Sequence, residues 1–228
     1  MGETAKEAAG LAAVGLVEDG MRLGLGTGST VTHFLHGLAG RGLDVAGVPT
    51  SEQTAGLCRE LGIGLLDPGE AGRLDLAVDG ADELDAELTC TKGGGGALLR
   101  EKVVAAMAER FVVIATADKV VERLADTFPL PVEVVPFAVG PVSAQLSELG
   151  FEVVERRGQD GAYRTDNGNA VLDCRHPGGL EDPAITDVHV GLIPGVCGTG
   201  LFVDMAELAL LGHDDGRVDR VRPRSAAD

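Results

Sequence analysis

The sequence predicts an α/β protein, with a Rossmann-like open sheet domain joined to a smaller α+β domain of ferredoxin-like order, βαββαβ. Three observations predict it. Short apolar runs alternate with stretches of helical period through the first half of the chain. One of these runs, Phe111–Ala115, is unmixed apolar, as a parallel strand covered on both faces should be. After Phe128-Pro-Leu-Pro131 the pattern changes to strands and helices in the split order β, α, β, β, α, β.

Residues 4–18 read as an amphipathic helix, with Ala8, Leu11, Ala12 and Val14–Leu16 on its apolar side. Met21–Leu25 reads as a short buried strand, Gly26–Thr30 as a tight loop, and Thr30–Leu38 as a helix closing near Gly40. Val45–Val48 is a strand, followed by the polar loop Pro49–Thr54. Thr54–Leu61 is a helix stopped by Gly62. Gly64–Leu66 and Leu74–Val78 are strands, Ala97–Glu109 is a helix, and Phe111–Ala115 is the next strand. Past the linker the expected order is strand 132–136, helix 140–149, strands 151–156 and 169–174, helix 182–191 and strand 197–203. The turn Asp166-Asn-Gly-Asn169 suits two antiparallel strands. Met205–Leu211 returns to the first domain, and the tail from Arg217, which lacks periodicity, is expected to fray. The expected boundaries are 1–128 plus 204–228 for the sheet domain and 129–203 for the smaller one.

Composition narrows the function. The 228 residues are 44% hydrophobic and 24% charged, a globular balance. No apolar run reaches spanning length. Glu3, Lys6 and Glu7 interrupt the N-terminus, which has no basic n-region, so a soluble cytoplasmic protein with no membrane partner is expected. A net charge of −17 argues against nucleic acid and anionic lipid as partners. An anionic substrate must therefore be met by local cations or backbone dipoles. Cys58, Cys90, Cys174 and Cys197 form no C-x-x-C and have no histidine at ligand spacing, so free thiols and no metal site are expected. Lysine is rare: Lys6, Lys92, Lys102 and Lys119 stand against 15 arginines. A lysine kept in such a background marks a place for a compact point charge, where a planar fork would not fit.

The segment Leu74–Lys102 gathers the chemistry. A strand ends in Asp79 and Asp82; Lys92 and four glycines follow, and Glu101 heads a helix. Paired carboxylates can divide acid and base roles. Lys92 can stabilise an oxyanion, and bare backbone lets a ligand approach closely. The bland alternatives are turn and cap aspartates, a mobile surface loop and a solvated helical glutamate. Gly24–Thr30 follows a strand and opens a helix, which suits a phosphate. It fails the dinucleotide fingerprint, because position 29 is Ser, and it is not a P-loop. Its bland reading is a βα turn with Ser29 or Thr30 as N-cap. Asp79–Asp85 fails the calcium-loop pattern, because Leu84 stands where glycine is required. Lys119 lies at the end of its strand, where a ligand contact is favoured over a plain helix start. The five histidines form no constellation.

These stretches, taken together, resemble ribose-5-phosphate isomerase of type A. The match is carried by GLGTGSTV at 24–31, PTSEQT at 49–54, DGADELD at 79–85, KGGGGALLREK at 92–102, FVVIATADK at 111–119, FPLPVEV at 128–134, TDNGN at 165–169 and IPGV at 193–196, in the family's order. The resemblance implies interconversion of D-ribose 5-phosphate and D-ribulose 5-phosphate in the pentose phosphate pathway, without cofactor or metal, by a homodimer or homotetramer. It implies Glu101 as the base that moves a proton through an enediolate, Lys92 and Asp79 as the groups that stabilise and protonate the sugar oxygens, and Asp82 in ring opening. It implies a substrate-binding set of Thr27, Gly28, Ser29, Thr30, Gly80, Ala81, Gly93, Gly94 and Gly95, with Lys6 and Lys119 adding charge at the phosphate. Thr91 departs from the aliphatic residue common before the lysine, which affects packing under the loop. The competing reading is a sugar-phosphate-sensing module without catalysis. It would call for a DNA-binding element, and the acidic N-terminus offers none.

Overall fold

A computed structural model describes residues 2–159 and 161–223. The chain divides into two units, one of Met1–Ala81, Arg100–Lys119 and Met205–Asp228, the other of Asp82–Leu99 and Val120–Asp204. In chain order the first unit opens with α1 (Glu3–Val14), β1 (Arg22–Leu25), α2 (Ser29–Arg41), β2 (Ala46–Pro49), α3 (Glu52–Leu61), β3 (Gly64–Leu65) and β4 (Leu74–Asp79). Then come β5 (Glu83–Leu84), β6 (Cys90–Thr91), α4 (Leu98–Met107) and β7 (Ala108–Thr116). The second unit continues with β8 (Leu130–Val134), α5 (Val139–Glu148), β9 (Glu152–Glu155), β10 (Arg157–Gly158), β11 (Gly161–Ala162), β12 (Ala170–Arg175), α6 (Pro183–Gly191), β13 (Val196–Thr199) and β14 (Leu201–Phe202). The chain then adds β15 (Leu208–Gly212) and β16 (Val218–Val221) to the first unit.

The first unit is built on a seven-stranded sheet ordered β16-β15-β7-β4-β1-β2-β3. It is parallel except for β16. The chain leaves β1 toward β2 and β3, then returns to β4 on the other side of β1. The switch point therefore lies between β1 and β4, where open α/β sheets collect ligands beyond the strand ends. Leu25 pairs with Val78, so the loops after these strands emerge side by side.

One face of this sheet is conventional core. Leu23, Leu25, Leu76, Val78, Val112, Ile114 and Leu210 pack against Ala9 and Ala13 of α1 and Val31, Phe34, Leu35 and Leu38 of α2. Each such large side chain contributes roughly 1.5–3 kcal/mol when fully buried. The other face is stripped bare under α4. A Cβ at Gly24 would come within 2.6 Å of Val104 and 2.7 Å of Ala77. Strand alternation carries this same face forward from Gly24 to Gly26 and from Ala77 to Asp79.

In the second unit the strands order β13-β8-β12-β9 and are all antiparallel, which is 4-1-3-2 in order of occurrence. Val132, Val134 and Leu172 of this sheet pack with Val142 and Leu146 of α5 and Val190 of α6. This is the ferredoxin-like arrangement. Asp182 caps α6 by accepting the Ile185 N–H at 2.9 Å, and Pro183 opens its first turn.

Several elements differ from expectation. The strand expected over 197–203 is two strands broken at Gly200, and β14 joins a small sheet ordered β14-β6-β5. A Cβ at Gly200 would strike the Lys92 carbonyl. The Gly200 carbonyl instead accepts the Lys92 N–H at 2.8 Å, and the Gly200 N–H donates to Pro131 at 2.7 Å. The helix expected to reach Glu109 ends at Met107, because β7 starts at Ala108 to pair with Leu74 of β4. The tail expected to fray holds an edge strand: Val218–Val221 pairs antiparallel with β15. Its adjacent Asp219 and Arg220 break the apolar alternation expected of a strand, and charged edges are how sheets avoid further pairing. Residues 224–228 of that tail lie outside the described residues.

Residues 82–99 and 120–128, expected with the sheet domain, group with the second unit. Glu83 accounts for part of this. It is 2% exposed, and its carboxylate accepts the N–H of Ala125 and of Phe128, both at 2.8 Å, and the Thr127 hydroxyl at 2.5 Å. Cys58, Cys90 and Cys174 are buried free thiols and Cys197 is half-buried. Burial pushes the Cys58 thiol up to about 11 and raises that of Cys174. Among the described residues no helix is long and apolar enough to cross a membrane.

Candidate active site

The loop after β1 leads into a helix start without a side-chain cap. Gly28 precedes α2 with φ of 120°, a conformation that L side chains rarely adopt. Ser29, expected as a possible N-cap, is instead the first helical residue. The first turn of α2 thus presents backbone N–H groups, with exposed Gly28 and Ser29 at its tip.

Thr27 ties this loop to its neighbours. Its N–H donates to Asp79 Oδ1 at 3.0 Å. Its hydroxyl lies 2.7 Å from that of Thr50, 2.8 Å from that of Ser51 and 3.0 Å from that of Thr54. Thr54 in turn donates to the Gly26 carbonyl at 2.8 Å, and Ser51 caps α3 through the Thr54 N–H at 3.0 Å. Thr50, Ser51 and Thr54 were absent from the sequence-predicted set. The signal for them was the polar stretch directly after a buried strand, Pro49–Thr54.

Asp79 and Glu101 belong to one crevice. Gly24, Gly26, Thr50, Ala77, Asp79, Glu101 and Val104 line it. The reason is periodicity: Asp79 lies two residues beyond Ala77 on its strand, and Glu101 lies three before Val104 on α4. Both carboxylates therefore extend the track over which α4 packs. Asp79 is 3% exposed and Glu101 is 5% exposed. Asp79 Oδ1 also accepts the Gly80 N–H at 2.7 Å. Gly26 must be glycine, since a Cβ there would run into the Asp79 carboxylate.

The second unit holds Asp82, Lys92 and the glycines. Asp82 Oδ2 accepts the Gly94 N–H at 2.7 Å. Lys92 is 2% exposed, with its ammonium 5.3 Å from the centre of the Phe202 ring. Gly93 and Gly96 are buried, while Gly94 and Gly95 are exposed. The acidic run 79–85 is divided by task. Glu83 anchors 125–128, and Asp85 closes its own turn by accepting the Glu87 and Thr89 N–H groups at 3.0 and 2.8 Å. Burial holds the Asp85 carboxyl above its ordinary value, with the Thr89 N–H pulling the other way.

The structure thus gathers Thr27–Thr30, Asp79, Gly80 and Glu101 at the switch point of the first unit, with Ala81 closing that segment. Lys119 follows β7, the strand beside β4, on the same carboxyl edge of the sheet. Lys6 is in the second turn of α1, its ammonium 3.9 Å from Glu3, and Glu3 bonds His33 of α2 at 2.7 Å. Asp82, Lys92 and Gly93–Gly95 form a second set. Among the described residues no cluster of three or more His, Cys, Asp or Glu side chains could hold a metal ion.

Comparisons with known proteins converge on one family. The profile described as Ribose 5-phosphate isomerase A (phosphoriboisomerase A) matches residues 46–216. The chain is 51% identical over 213 residues to the ribose-5-phosphate isomerase A of Roseiflexus sp. strain RS-1, covering 91% of each chain. Its fold superposes on ribose 5-phosphate isomerase A from Methanocaldococcus jannaschii with a TM-score of 0.92 at 38% identity, covering 96% of this chain and 99% of that one. A D-ribose-5-phosphate isomerase in complex with phospho-erythronic acid gives 0.93 at 36% identity, covering 97% and 100%.

Proposed function

Because the chain belongs to the ribose 5-phosphate isomerase A family, and is therefore an isomerase, we propose that it interconverts D-ribose 5-phosphate and D-ribulose 5-phosphate by moving one proton between C2 and C1 through an enediolate. The observation that carries this reading is the placement of Glu101 and Asp79 in one buried crevice at the switch point. A proton next to a carbonyl is weakly acidic, so a base alone is insufficient and the charge on oxygen needs donors placed in advance.

Glu101 is the base. It takes the proton from C2 and returns it at C1, shielded from water by its burial. Lys92 supplies positive charge to the developing oxyanion, and Asp79 passes protons to and from the sugar oxygens. Asp79 is held for this by the two backbone donors on Oδ1. Asp82 assists furanose opening, and Gly93–Gly95 let the backbone approach the sugar. The phosphate rests on the uncapped first turn of α2, at Thr27–Thr30, with Lys6 and Lys119 adding charge and Gly80 and Ala81 bordering the sugar. The phospho-erythronic acid bound by the related isomerase supports this, since it couples a phosphate to a carboxylate that resembles an enediolate in charge. The same reading places the enzyme in the pentose phosphate pathway. It is a cytoplasmic homodimer or homotetramer, and free cysteines fit a reducing compartment.

Ketose formation from ribose 5-phosphate deuterated at C2 tests the reaction. Turnover should persist in EDTA, and part of the label should wash out into solvent. Label kept wholly at C1 would point to a hydride shift. A folded protein that binds the sugar phosphate without converting it would instead be a sensor. For the phosphate, Lys6→Ala and Lys119→Ala should each raise KM by about tenfold, the cost of one charged hydrogen bond, with a smaller fall in kcat. The reverse pattern in steady-state kinetics would move those lysines into the chemistry.

A further inference from the structure

The tetraglycine segment after Lys92 is gripped from one side by residues far along the chain. Arg156 lies just beyond β9 and is 14% exposed. Its guanidinium is bidentate on Asp173 of β12, with Nε to Oδ2 at 2.9 Å and Nη2 to Oδ1 at 2.5 Å. The remaining nitrogen, Nη1, donates to the carbonyls of Gly93 and Gly94 at 2.9 and 3.0 Å. Tyr163 donates its hydroxyl to the next carbonyl, Gly95, at 3.1 Å, and its ring lies 5.6 Å from the Arg156 guanidinium carbon. Burial pushes the Tyr163 phenol above its ordinary value, so it remains a donor at neutral pH.

A trans peptide points its carbonyl and its N–H in opposite directions. The peptide whose carbonyl Arg156 holds at Gly93 is the one whose N–H, on Gly94, reaches Asp82. Arg156 and Asp82 therefore hold one peptide plane from its two ends. The bond from Arg156 to the Gly94 carbonyl turns the Gly95 N–H the same way as that of Gly94. Free glycine backbone would lose this orientation, since ordering each residue costs about 1–2 kcal/mol.

Resting on the isomerase reading above, we infer that Arg156, held by Asp173 and joined by Tyr163, is a positioning residue for the reaction: it fixes the glycine loop so that its N–H groups and Asp82 keep the geometry the sugar oxygens require. The loop is thus pre-organised rather than mobile, and its order is set by a guanidinium fork that no ammonium can replace, since three acceptor groups must be met in one plane.

Kinetics, thermal unfolding and hydrogen exchange of Arg156→Gln, Arg156→Lys and Tyr163→Phe test the inference. Both Arg156 variants should lose about 10- to 100-fold in kcat, the usual penalty for slight misplacement, with KM within about threefold. Exchange should rise in residues 93–96 and stay unchanged in β8. Arg156→Lys, which keeps a cation beside Asp173, should recover the thermal midpoint without recovering kcat. Tyr163→Phe should show the same signature more weakly. If the wild type turns over while Arg156→Gln keeps kcat within twofold, raises KM alone or shows no local change in exchange, the positioning role is overturned and the isomerase reading survives. Recovery of kcat together with stability in Arg156→Lys would likewise leave only a structural ion pair. A wild type that does not convert ribose 5-phosphate overturns both.

Discussion

Replacing Glu101 with glutamine should lower kcat for ribose 5-phosphate isomerisation by about a thousandfold, within the 10²–10⁴ that a positioned acid or base contributes. The amide keeps the volume of the carboxylate, so α4 can still pack Val104 over Gly24 and Ala77. It cannot accept the C2 proton. KM should change little, because the proposed function assigns the phosphate to other residues. Steady-state rates of wild type and variant, each with EDTA, measure the effect. A variant within tenfold of wild type would remove Glu101 from the role of base. Position supports the large effect: Glu101 is nearly inaccessible to water and shares its crevice with Asp79.

Lys92→Met should cost about 10²–10³ in kcat, the usual loss when one oxyanion donor is removed. Methionine is unbranched and matches the lysine stem, so contact with Phe202 is retained. The Lys92 N–H bond to Gly200 belongs to the main chain and survives the substitution. The loss should therefore appear in kcat and in kcat/KM alike, the pattern of an interaction made chiefly in the transition state. Lys92→Arg should not restore the rate, since a planar fork does not fit where a 2%-exposed point charge sits. Full activity in the arginine variant would contradict the stated role.

Much of the proposed site is legible in the sequence because its signals are local. A glycine loop between strand and helix, a carboxylate ending an apolar strand and a lysine before four glycines each show within a few residues. What the sequence hides depends on which strands become neighbours. Thr50, Ser51 and Thr54 reach Thr27 because β2 lies beside β1. Arg156 reaches Gly93 across 63 positions of chain. The acidic run 79–85 shows the opposite limit. Its residues look alike in sequence, yet Glu83 and Asp85 bind backbone and hydroxyl groups of the second unit while Asp79 lines the crevice. Apolar periodicity also missed β16, whose strand character comes from pairing with β15 rather than from its own side chains.

The bare track of Gly24, Gly26 and Ala77 has a consequence for how this enzyme can change. The depth at which α4 rides on the sheet sets how far the Glu101 carboxylate extends, and that depth is governed by residues with no functional group of their own. A methyl group at position 24 would act like a shim under a lever, and one at position 26 would press on the Asp79 carboxylate. If Glu101 is the base proposed above, its reach is inherited through the smallest side chains on the sheet, and drift at those positions would alter the chemistry while the glutamate itself stayed the same.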